Sequence, residues 1–129
     1  MDWKLRQNPN VIVIERTNIR YISRQLLPES FDLITIDVSF ISLKIVVPVV
    51  GPFLKKEGKI LALIKPQFEV GKSQVGKGGV VRDPALHQFV IDELSDFFTH
   101  QGLVCAGIIP SPILGPKGNK EFLVYLRQP

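Results

Sequence analysis

The segment FDLITID, residues 31–37, shows most directly how this chain folds, because a short apolar run with β-branched residues ends there in the acidic Asp37. The segment GKILALIK, residues 58–65, has the same form and ends in Lys65. Such runs alternate with longer segments of helical period, which is typical of βαβ units and a largely parallel sheet. We therefore expect one α/β domain, because 129 residues suffice for one core and are short for two.

The other elements follow from hydrophobic period and from helix boundary signals. The best-defined helix is 84–101, with Asp83 as its cap, Pro84 as its first residue and Gly102 after its end. Its apolar face is predicted to contain Leu86, Phe89, Val90, Leu94, Phe97 and Phe98. Further helices are predicted at 19–27 and at 42–55, the latter kinked or divided by Pro48, and strands at 11–15, 32–37, 59–65, 103–109 and 122–127.

Three charged side chains are predicted to meet at one edge of the sheet. Asp37 and Lys65 each follow a parallel strand, and the carboxyl ends of parallel strands share an edge where ligands bind. Glu121 begins EFLVYL and joins them only if its strand runs antiparallel. An acid, a base and an acid at one edge of the sheet could catalyse a reaction. The alternative is a structural cluster of ion pairs, since such clusters also gather charges.

The segment from 66 to 83, PQFEVGKSQVGKGGVVRD, is long for a connection inside a domain. Lys72, Lys77 and Arg82 stand among four glycines in it, so backbone amides and cations could both reach a phosphate. A solvated, mobile flap is the alternative.

Several other chemistries find little support. Residues 71–77 match the phosphate-binding loop of nucleotide hydrolases up to the last position, where Gly78 replaces the required hydroxyl residue. His87 and His100 are thirteen positions apart without cysteine or carboxylate at ligand spacing, so we expect no metal site and two solvated helix-surface histidines. Ser39 and Ser42 are expected to cap the helix that follows them.

The amino-acid composition limits which partners and which cellular environment we expect for the protein. The chain is 45% hydrophobic with a net charge of +4, which suits a polyanionic partner without requiring one. Cys105 is the single cysteine and is predicted to be buried and inert, so no disulfide framework exists. The chain shows no signal peptide and no apolar run long enough to span a membrane. We expect a soluble cytoplasmic protein without a membrane partner.

Taken together, the segments TIDVSFISL, LIKPQFEVGKSQVGKGGVVRDP and IPSPILGPKGNKEFLVYLR, with ERTN after the first strand, resemble the TlyA (hemolysin A-like) branch of FtsJ-type ribosomal RNA methyltransferases. The resemblance covers essentially the whole chain. It implies a Rossmann-like sheet, mostly parallel with an antiparallel last strand. It also implies S-adenosylmethionine as cofactor, ribosomal RNA or a ribosomal subunit as partner, and methylation of ribose 2′-hydroxyls.

The same resemblance implies the roles of individual residues. Asp37, Lys65 and Glu121 would be three members of the family's catalytic Lys-Asp-Lys-Glu tetrad. Lys65 would stabilise the developing alkoxide as a cation or take the proton, and the two carboxylates would hold its amine. The cofactor would lie beside Thr17, Asn18 and Asp37. The residues expected to contact RNA are Lys72, Lys77, Arg82, Lys117 and Lys120.

The resemblance also implies missing parts. Residues 1–129 would form the carboxyl-terminal portion of the methyltransferase domain, without its first two strands, its glycine-rich cofactor loop, the first lysine of the tetrad and the S4-type RNA-binding domain. The cofactor pocket would be incomplete. A sheet that lacks its centre exposes an unpaired edge. We therefore expect either a fragment of a longer protein or a truncated product that closes this edge by forming a homodimer or by rearranging its strands; light scattering at several concentrations would detect the homodimer. The functional alternative is a non-catalytic remnant that binds RNA or oligomerises.

Overall fold

The computed structural model describes residues 7–9, 19, 30–76 and 78–129, with Lys72 described by its backbone alone. Two predicted elements lie outside the described residues. They are the strand at 11–15 and, apart from Ile19, the short helix at 19–27. The first described strand, β1, spans Phe31–Ile36 and confirms the strand predicted at 32–37.

The described strands form one four-stranded sheet. After β1 come β2 (Leu54–Ile64), β3 (Val104–Pro110) and β4 (Phe122–Arg127), and their order across the sheet is β1-β2-β4-β3. β1 and β2 are parallel, whereas β4 is antiparallel to both β2 and β3. The predicted α/β class is confirmed: the described sheet is mixed, β1, β2 and β3 run in the same direction, and the last strand, β4, runs antiparallel to them, as predicted.

The first helix, α1, spans Leu43–Val50, and a 3₁₀ turn follows at Gly51–Phe53. The prediction of a helix over 42–55 is therefore wrong at its end, although two short pieces were one of its outcomes. The helix ends before Gly51 and Pro52, whereas Pro48 lies inside α1. Pro52 has no N–H with which to continue the helical hydrogen bonds. From Leu54 onward the chain forms β2, which pairs with β1 instead. The pairing is irregular between Phe31–Leu54 and Leu33–Lys59, where β2 has more residues than β1.

The second helix, α2, spans Pro84–His100, as predicted. Asp83 accepts a hydrogen bond from the Ala85 N–H at 2.9 Å, and Gly102 beyond the carboxyl end has a φ of +83°. The face of α2 that packs on the sheet consists of His87, Val90, Leu94 and Phe98, whose spacing of three, four and four residues follows one side of a helix. Phe89, which was predicted on this face, is 55% exposed because it lies one residue before Val90.

Both helices cover the same face of the sheet, where Ile60, Ile64, Val124 and Leu126 are fully buried. A lysine of α1 and a glutamate of α2, Lys44 and Glu93, form an ion pair between the helices. Apolar side chains on the opposite face are exposed, among them Leu33, Leu61 and Ile109. Among the described strands, β1 pairs with β2 alone, so the homodimer through this edge stays a prediction.

Candidate functional site

Asp37 and Lys65 are in direct contact at the carboxyl ends of β1 and β2. The Lys65 Nζ atom lies 2.5 Å from Asp37 Oδ1 and donates to Ser39 Oγ at 3.3 Å. The Lys65 side chain is 11% exposed and that of Asp37 is 69% exposed. The lysine is thus packed into the rim of the sheet with its amine oriented by two oxygen atoms, one of which faces solvent.

Glu121 lies across from Lys65, because β2 and β4 pair antiparallel with Ile64 opposite Phe122. The carboxylate of Glu121 is buried and accepts a hydrogen bond from Gln67 Nε2 at 3.0 Å. Gly115 packs directly against this carboxylate, so that a side chain at that position would overlap it. The three charged residues therefore share one rim, with Asp37 bound to Lys65 and Glu121 bound to Gln67.

Gln67 is a residue of this rim that sequence reasoning missed. It lies two positions after Lys65, in the 3₁₀ turn Pro66–Phe68, and is 9% exposed. Its Oε1 atom is buried and has no hydrogen-bond partner among the described residues. Its closeness to Lys65 in the chain was the one available signal.

The loop after β1 presents an aromatic ring that was also missed. Phe40 has a φ of +64° and is 89% exposed. A positive φ in a bulky residue costs roughly 1–3 kcal/mol and is concentrated at functional sites. The Phe40 ring lies 4.8 Å from the Phe68 ring, centroid to centroid, at 52°. Both rings line a cavity of about 480 Å³, here named the rim cavity, together with Ser39, Gln67, Lys117 and Asn119.

Glu69 fastens this loop to the segment after β2. Its carboxylate accepts hydrogen bonds from Ser42 Oγ at 2.6 Å and from the Leu43 N–H at 2.8 Å. Ser42 also accepts from the Lys44 N–H at 3.0 Å, which confirms its predicted capping role, whereas Ser39 is bound by Lys65. Burial raises the pKa of Glu69 above its ordinary value of 4.5, while the hydrogen bonds and Lys44 oppose that shift.

The raised pKa of Glu69 predicts a pH dependence of stability. The folded protein holds this proton at pH values where the unfolded chain has already lost it, so stability falls as pH rises from about 4.5 through the folded pKa. Glu69→Gln keeps the size and much of the hydrogen bonding but does not titrate there. In urea unfolding, the wild-type protein should lose stability relative to Glu69→Gln over this window. The prediction would be contradicted if the stability of the wild-type protein, relative to that of Glu69→Gln, rose with pH over this window.

Asn119 organises the glycine-rich segment. Its Oδ1 atom accepts from the Val81 N–H at 3.0 Å, and its Nδ2 atom donates to the carbonyls of Gly79 and Pro116 at 2.9 and 3.2 Å. Val80 and Val81 are buried. At its carboxyl end, the segment is therefore attached to the domain, which does not fit the alternative of a solvated flap.

Three of the five residues predicted to contact RNA lie together. Arg82, Lys117 and Lys120 line a cavity of about 340 Å³ beside the amino end of α2. The side chain of Lys72 and all of Lys77 lie outside the described residues. Lys117 has a φ of +59°, so the 3₁₀ turn Pro116–Gly118 holds it in a strained backbone conformation.

The burial of His87 and of Cys105 differs from the sequence predictions. His87 is buried rather than solvated, because its Nε2 atom donates to the Val81 carbonyl at 2.7 Å and its ring packs edge-on against Phe122. His100 is exposed, as predicted. Cys105 is half-buried rather than buried, because β3, on which it lies, is an edge strand among the described strands.

Two of the three residues predicted to contact the cofactor, Thr17 and Asn18, lie outside the described residues. A cavity of about 400 Å³ extends along β1 to Asp37, with apolar walls that include Val46, Val50 and Phe53. Such a wall suits the flat adenine ring of a nucleoside, and Asp37 suits hydroxyl groups or a cation. The described residues therefore fit one side of the predicted cofactor.

Across the described ranges, no three or more His, Cys, Asp and Glu side chains are grouped so that they could hold a metal ion. In the same ranges, no helix has the length and apolar character needed to cross a membrane.

Comparison with known proteins identifies relatives of this fold and site. The model of the FtsJ-like methyltransferase family matches residues 1–128. The "16S/23S rRNA (cytidine-2'-O)-methyltransferase TlyA" of Mycobacterium tuberculosis is 42% identical over 125 residues, which cover 97% of this chain and 47% of that protein. The chain spans about half the length of the curated relatives it matches.

Solved structures agree with this result. A Streptococcus thermophilus protein that carries a provisional hemolysin name matches with a TM-score of 0.93 and 38% identity, over 99% of this chain and 46% of that one. The N-methyltransferase NodS from Bradyrhizobium japonicum, solved with S-adenosyl-L-homocysteine, matches with a TM-score of 0.53 and 14% identity, over 88% of this chain and 52% of that one. The second likeness concerns the fold alone.

Proposed function

Because the chain belongs to the FtsJ-like methyltransferase family, we propose that it is the catalytic part of an enzyme that methylates ribose 2′-hydroxyls of ribosomal RNA. The main support for this proposal is the position of the Lys65 amine. It lies 2.5 Å from Asp37, and Lys65 is opposite Glu121 on the neighbouring strand. The names of relatives, which include cytidine-2′-O-methyltransferases, support a cytidine as the target.

The chemistry follows from the positions of these side chains. When bound, S-adenosylmethionine supplies a methyl group on a positively charged sulfur. Lys65 would contact the ribose hydroxyl and either stabilise the developing alkoxide as a cation or accept its proton. Asp37 and Ser39 orient the Lys65 amine, and Glu121 adds a second negative charge across from it. Such positioning matters because transfer requires the hydroxyl in line with the methyl group.

We propose that the residues of this chain form one side of the cofactor site. Asp37 and the apolar wall along β1 would contact the nucleoside part of S-adenosylmethionine, with Thr17 and Asn18 beside its adenine. The methionine part would be bound by the amino-terminal part of the domain, which the resemblance places before this chain. The alternative function, a non-catalytic remnant that binds RNA or oligomerises, is favoured by the exposed apolar face of the sheet.

A methyl-transfer assay separates these functions. The chain and a version extended with the amino-terminal part of a relative would be incubated with ribosomal RNA and labelled S-adenosylmethionine, and nucleosides would be analysed by mass spectrometry. We expect 2′-O-methylcytidine from the extended form and little product from the short chain. Methylation on a base nitrogen, or cofactor binding by the extended form without any product, would contradict the proposed function.

The proposed RNA contacts predict a change in salt dependence. Replacing both Lys117 and Lys120 by methionine removes two cations from the 340 Å³ cavity while keeping side-chain length. The slope of log affinity against log salt concentration is negative, and it should become shallower by about 1 for each phosphate that is no longer neutralised, to a similar extent for different RNA sequences. Lys56→Met is the control, because Lys56 is exposed near the start of β2, far from the rim. Equal slopes for the two variants would contradict this prediction.

A further inference from the structure

Two connections leave the rim of the sheet side by side, one after β1 and one after β2. The first, residues 37–42, ends where α1 begins and is here named the Asp37 loop. The second, residues 65–69, contains a 3₁₀ turn and is named the Lys65 loop. The parallel pairing of β1 with β2 holds the two loops together where they start. Contacts beyond the strands therefore decide how the side chains of the rim are placed.

Side-chain contacts join the two loops in the same order along both. The Lys65 amine contacts Asp37 at 2.5 Å and Ser39 at 3.3 Å, at the start of each loop. Further along, the rings of Phe40 and Phe68 lie 4.8 Å apart, centroid to centroid. Both contacts have an exposed partner, since the exposed fractions are 69% for Asp37 and 89% for Phe40. Contacts of exposed groups are weak, so they depend on how the Asp37 loop is held at its end.

Glu69 makes the last contact between the loops and binds both donors at the start of α1. Its Oε2 atom accepts from Ser42 Oγ at 2.6 Å, and its Oε1 atom accepts from the Leu43 N–H at 2.8 Å. The amino end of a helix favours negative charge, which suits a carboxylate there. Leu43 is buried in the core, so the carboxylate attaches the Lys65 loop to a fixed part of the domain. The Asp37 loop is thus held between β1 and Glu69.

A carboxylate is an unfavourable group for this position if stability is its only role. Burial raises the pKa of Glu69, so its surroundings disfavour the charged form. Replacing both partners of a buried hydrogen bond by apolar groups is often nearly neutral, so an apolar contact could join the loops equally well. A carboxylate with two donors instead fixes distance and direction, because hydrogen bonds are directional. A reacting amine requires that precision of the loop that orients it.

We propose that Glu69 is a positioning residue for Lys65: its two hydrogen bonds set the Asp37 loop, and that loop sets where the Lys65 amine lies. This inference rests on the proposed function for the reaction that the amine serves. Glu69 acts through Asp37 and Ser39 and is not itself a catalytic residue. Because a misplacement of about 1 Å can cost about 10²-fold in rate, the loss of Glu69 should have a large effect.

The test is a double-mutant cycle in the extended enzyme, with single-turnover methyl transfer to ribosomal RNA as the readout. Glu69→Leu should lower the rate by about 10-fold to 100-fold in the wild-type background. In the Lys65→Met background the same change should lower it by less than about 2-fold, because the group that Glu69 positions is then absent. Glu69→Gln retains an acceptor for the Leu43 N–H and should recover most of the rate.

Leu103→Ala is the matched control for a loss of stability. Leu103 is buried at the end of the sheet opposite the rim, since the adjacent Val104 pairs with Arg127. At a temperature where the variant is folded, its rate should stay within about 2-fold of the wild-type rate. If Glu69→Leu does not fold, Ser42→Ala provides the same cycle, because it removes one of the two donors and keeps the other. Its smaller loss should again disappear in the Lys65→Met background.

A second readout uses the chain itself and no substrate. In Glu69→Leu or Ser42→Ala, the backbone order parameters of Ser39 and Phe40 from ¹⁵N relaxation should fall from about 0.85, typical of rigid backbone, toward about 0.6. Val38 and Ile41 pack partly against the core and should change less. Leu103→Ala should leave all four values unchanged.

The inference would be overturned by a wild-type rate in Glu69→Leu, by equal losses in both backgrounds, or by unchanged order parameters of Ser39 and Phe40. A similar loss of rate in Leu103→Ala would also overturn it, since the effect would then follow from stability alone. Absence of methyl transfer by the wild-type extended enzyme would refute the proposed function. The order parameters would in that case still decide whether Glu69 holds the Asp37 loop.

Discussion

Replacing Lys65 by methionine should lower methyl transfer by the extended enzyme by about 10²–10³-fold, the usual effect of removing one group that stabilises developing charge. The substitution keeps the side-chain length and removes the amine that contacts Asp37 and Ser39. Binding of S-adenosylmethionine should change little, so the loss should appear in the rate of the chemical step in single-turnover measurements. The fold should tolerate the change, because Asp37 is 69% exposed and water can solvate its carboxylate.

Lys59→Met is the matched control for this experiment. Lys59 lies on the same strand, β2, and is exposed, but it pairs with Arg127 at the far end of β4 from Glu121. Its substitution should leave the rate within about 2-fold, as expected for a surface position away from the site. Turnover by Lys65→Met at the wild-type rate would remove Lys65 from the proposed mechanism and favour a purely structural ion-pair cluster.

Replacing Phe98 by alanine should destabilise the fold by about 3–5 kcal/mol, the range for removing a buried aromatic ring. Phe98 is fully buried between α2 and the sheet. Because a small domain has a total stability of about 5–15 kcal/mol, much of the protein could unfold at room temperature. Urea unfolding followed by circular dichroism measures the change.

Phe89→Ala is the control on the same helix. Phe89 is 55% exposed, so its loss should change stability by about 0.5 kcal/mol or less. The pair also tests the assignment of helix faces, because the hydrophobic period alone had placed both phenylalanines against the sheet. Similar losses for the two variants would show that Phe89 is buried in solution, against the structure.

Elements with strong local signals were predictable from the sequence. The strand Phe122–Arg127 and the helix Pro84–His100 have a clear period, and the helix also has Asp83 before it and Gly102 after it. The meeting of Asp37 with Lys65 followed from a general property of parallel strands, since both end at one edge. Glu121 reached that edge because β4 is antiparallel.

Features that depend on tertiary contacts were not predictable. The end of α1 at Val50 reflects the pairing of Leu54 with β1 as well as the local effect of Pro52. The burial of His87 depends on the carbonyl of Val81, which belongs to a loop rather than to the helix. The positive φ of Phe40 and the unpaired oxygen of Gln67 depend on backbone geometry and on packing, which residue type does not reveal.

The position of β4 has a consequence for biosynthesis. β4 lies between β2 and β3 and joins them into one sheet, yet it comes last in the chain among the described strands. A nascent chain emerging from the ribosome could pair β1 with β2 early, but β3 would have no hydrogen-bonded neighbour until the final strand had been translated. Because Glu121 lies at the start of that strand, a prematurely terminated copy would lack the completed sheet together with one of the proposed catalytic groups.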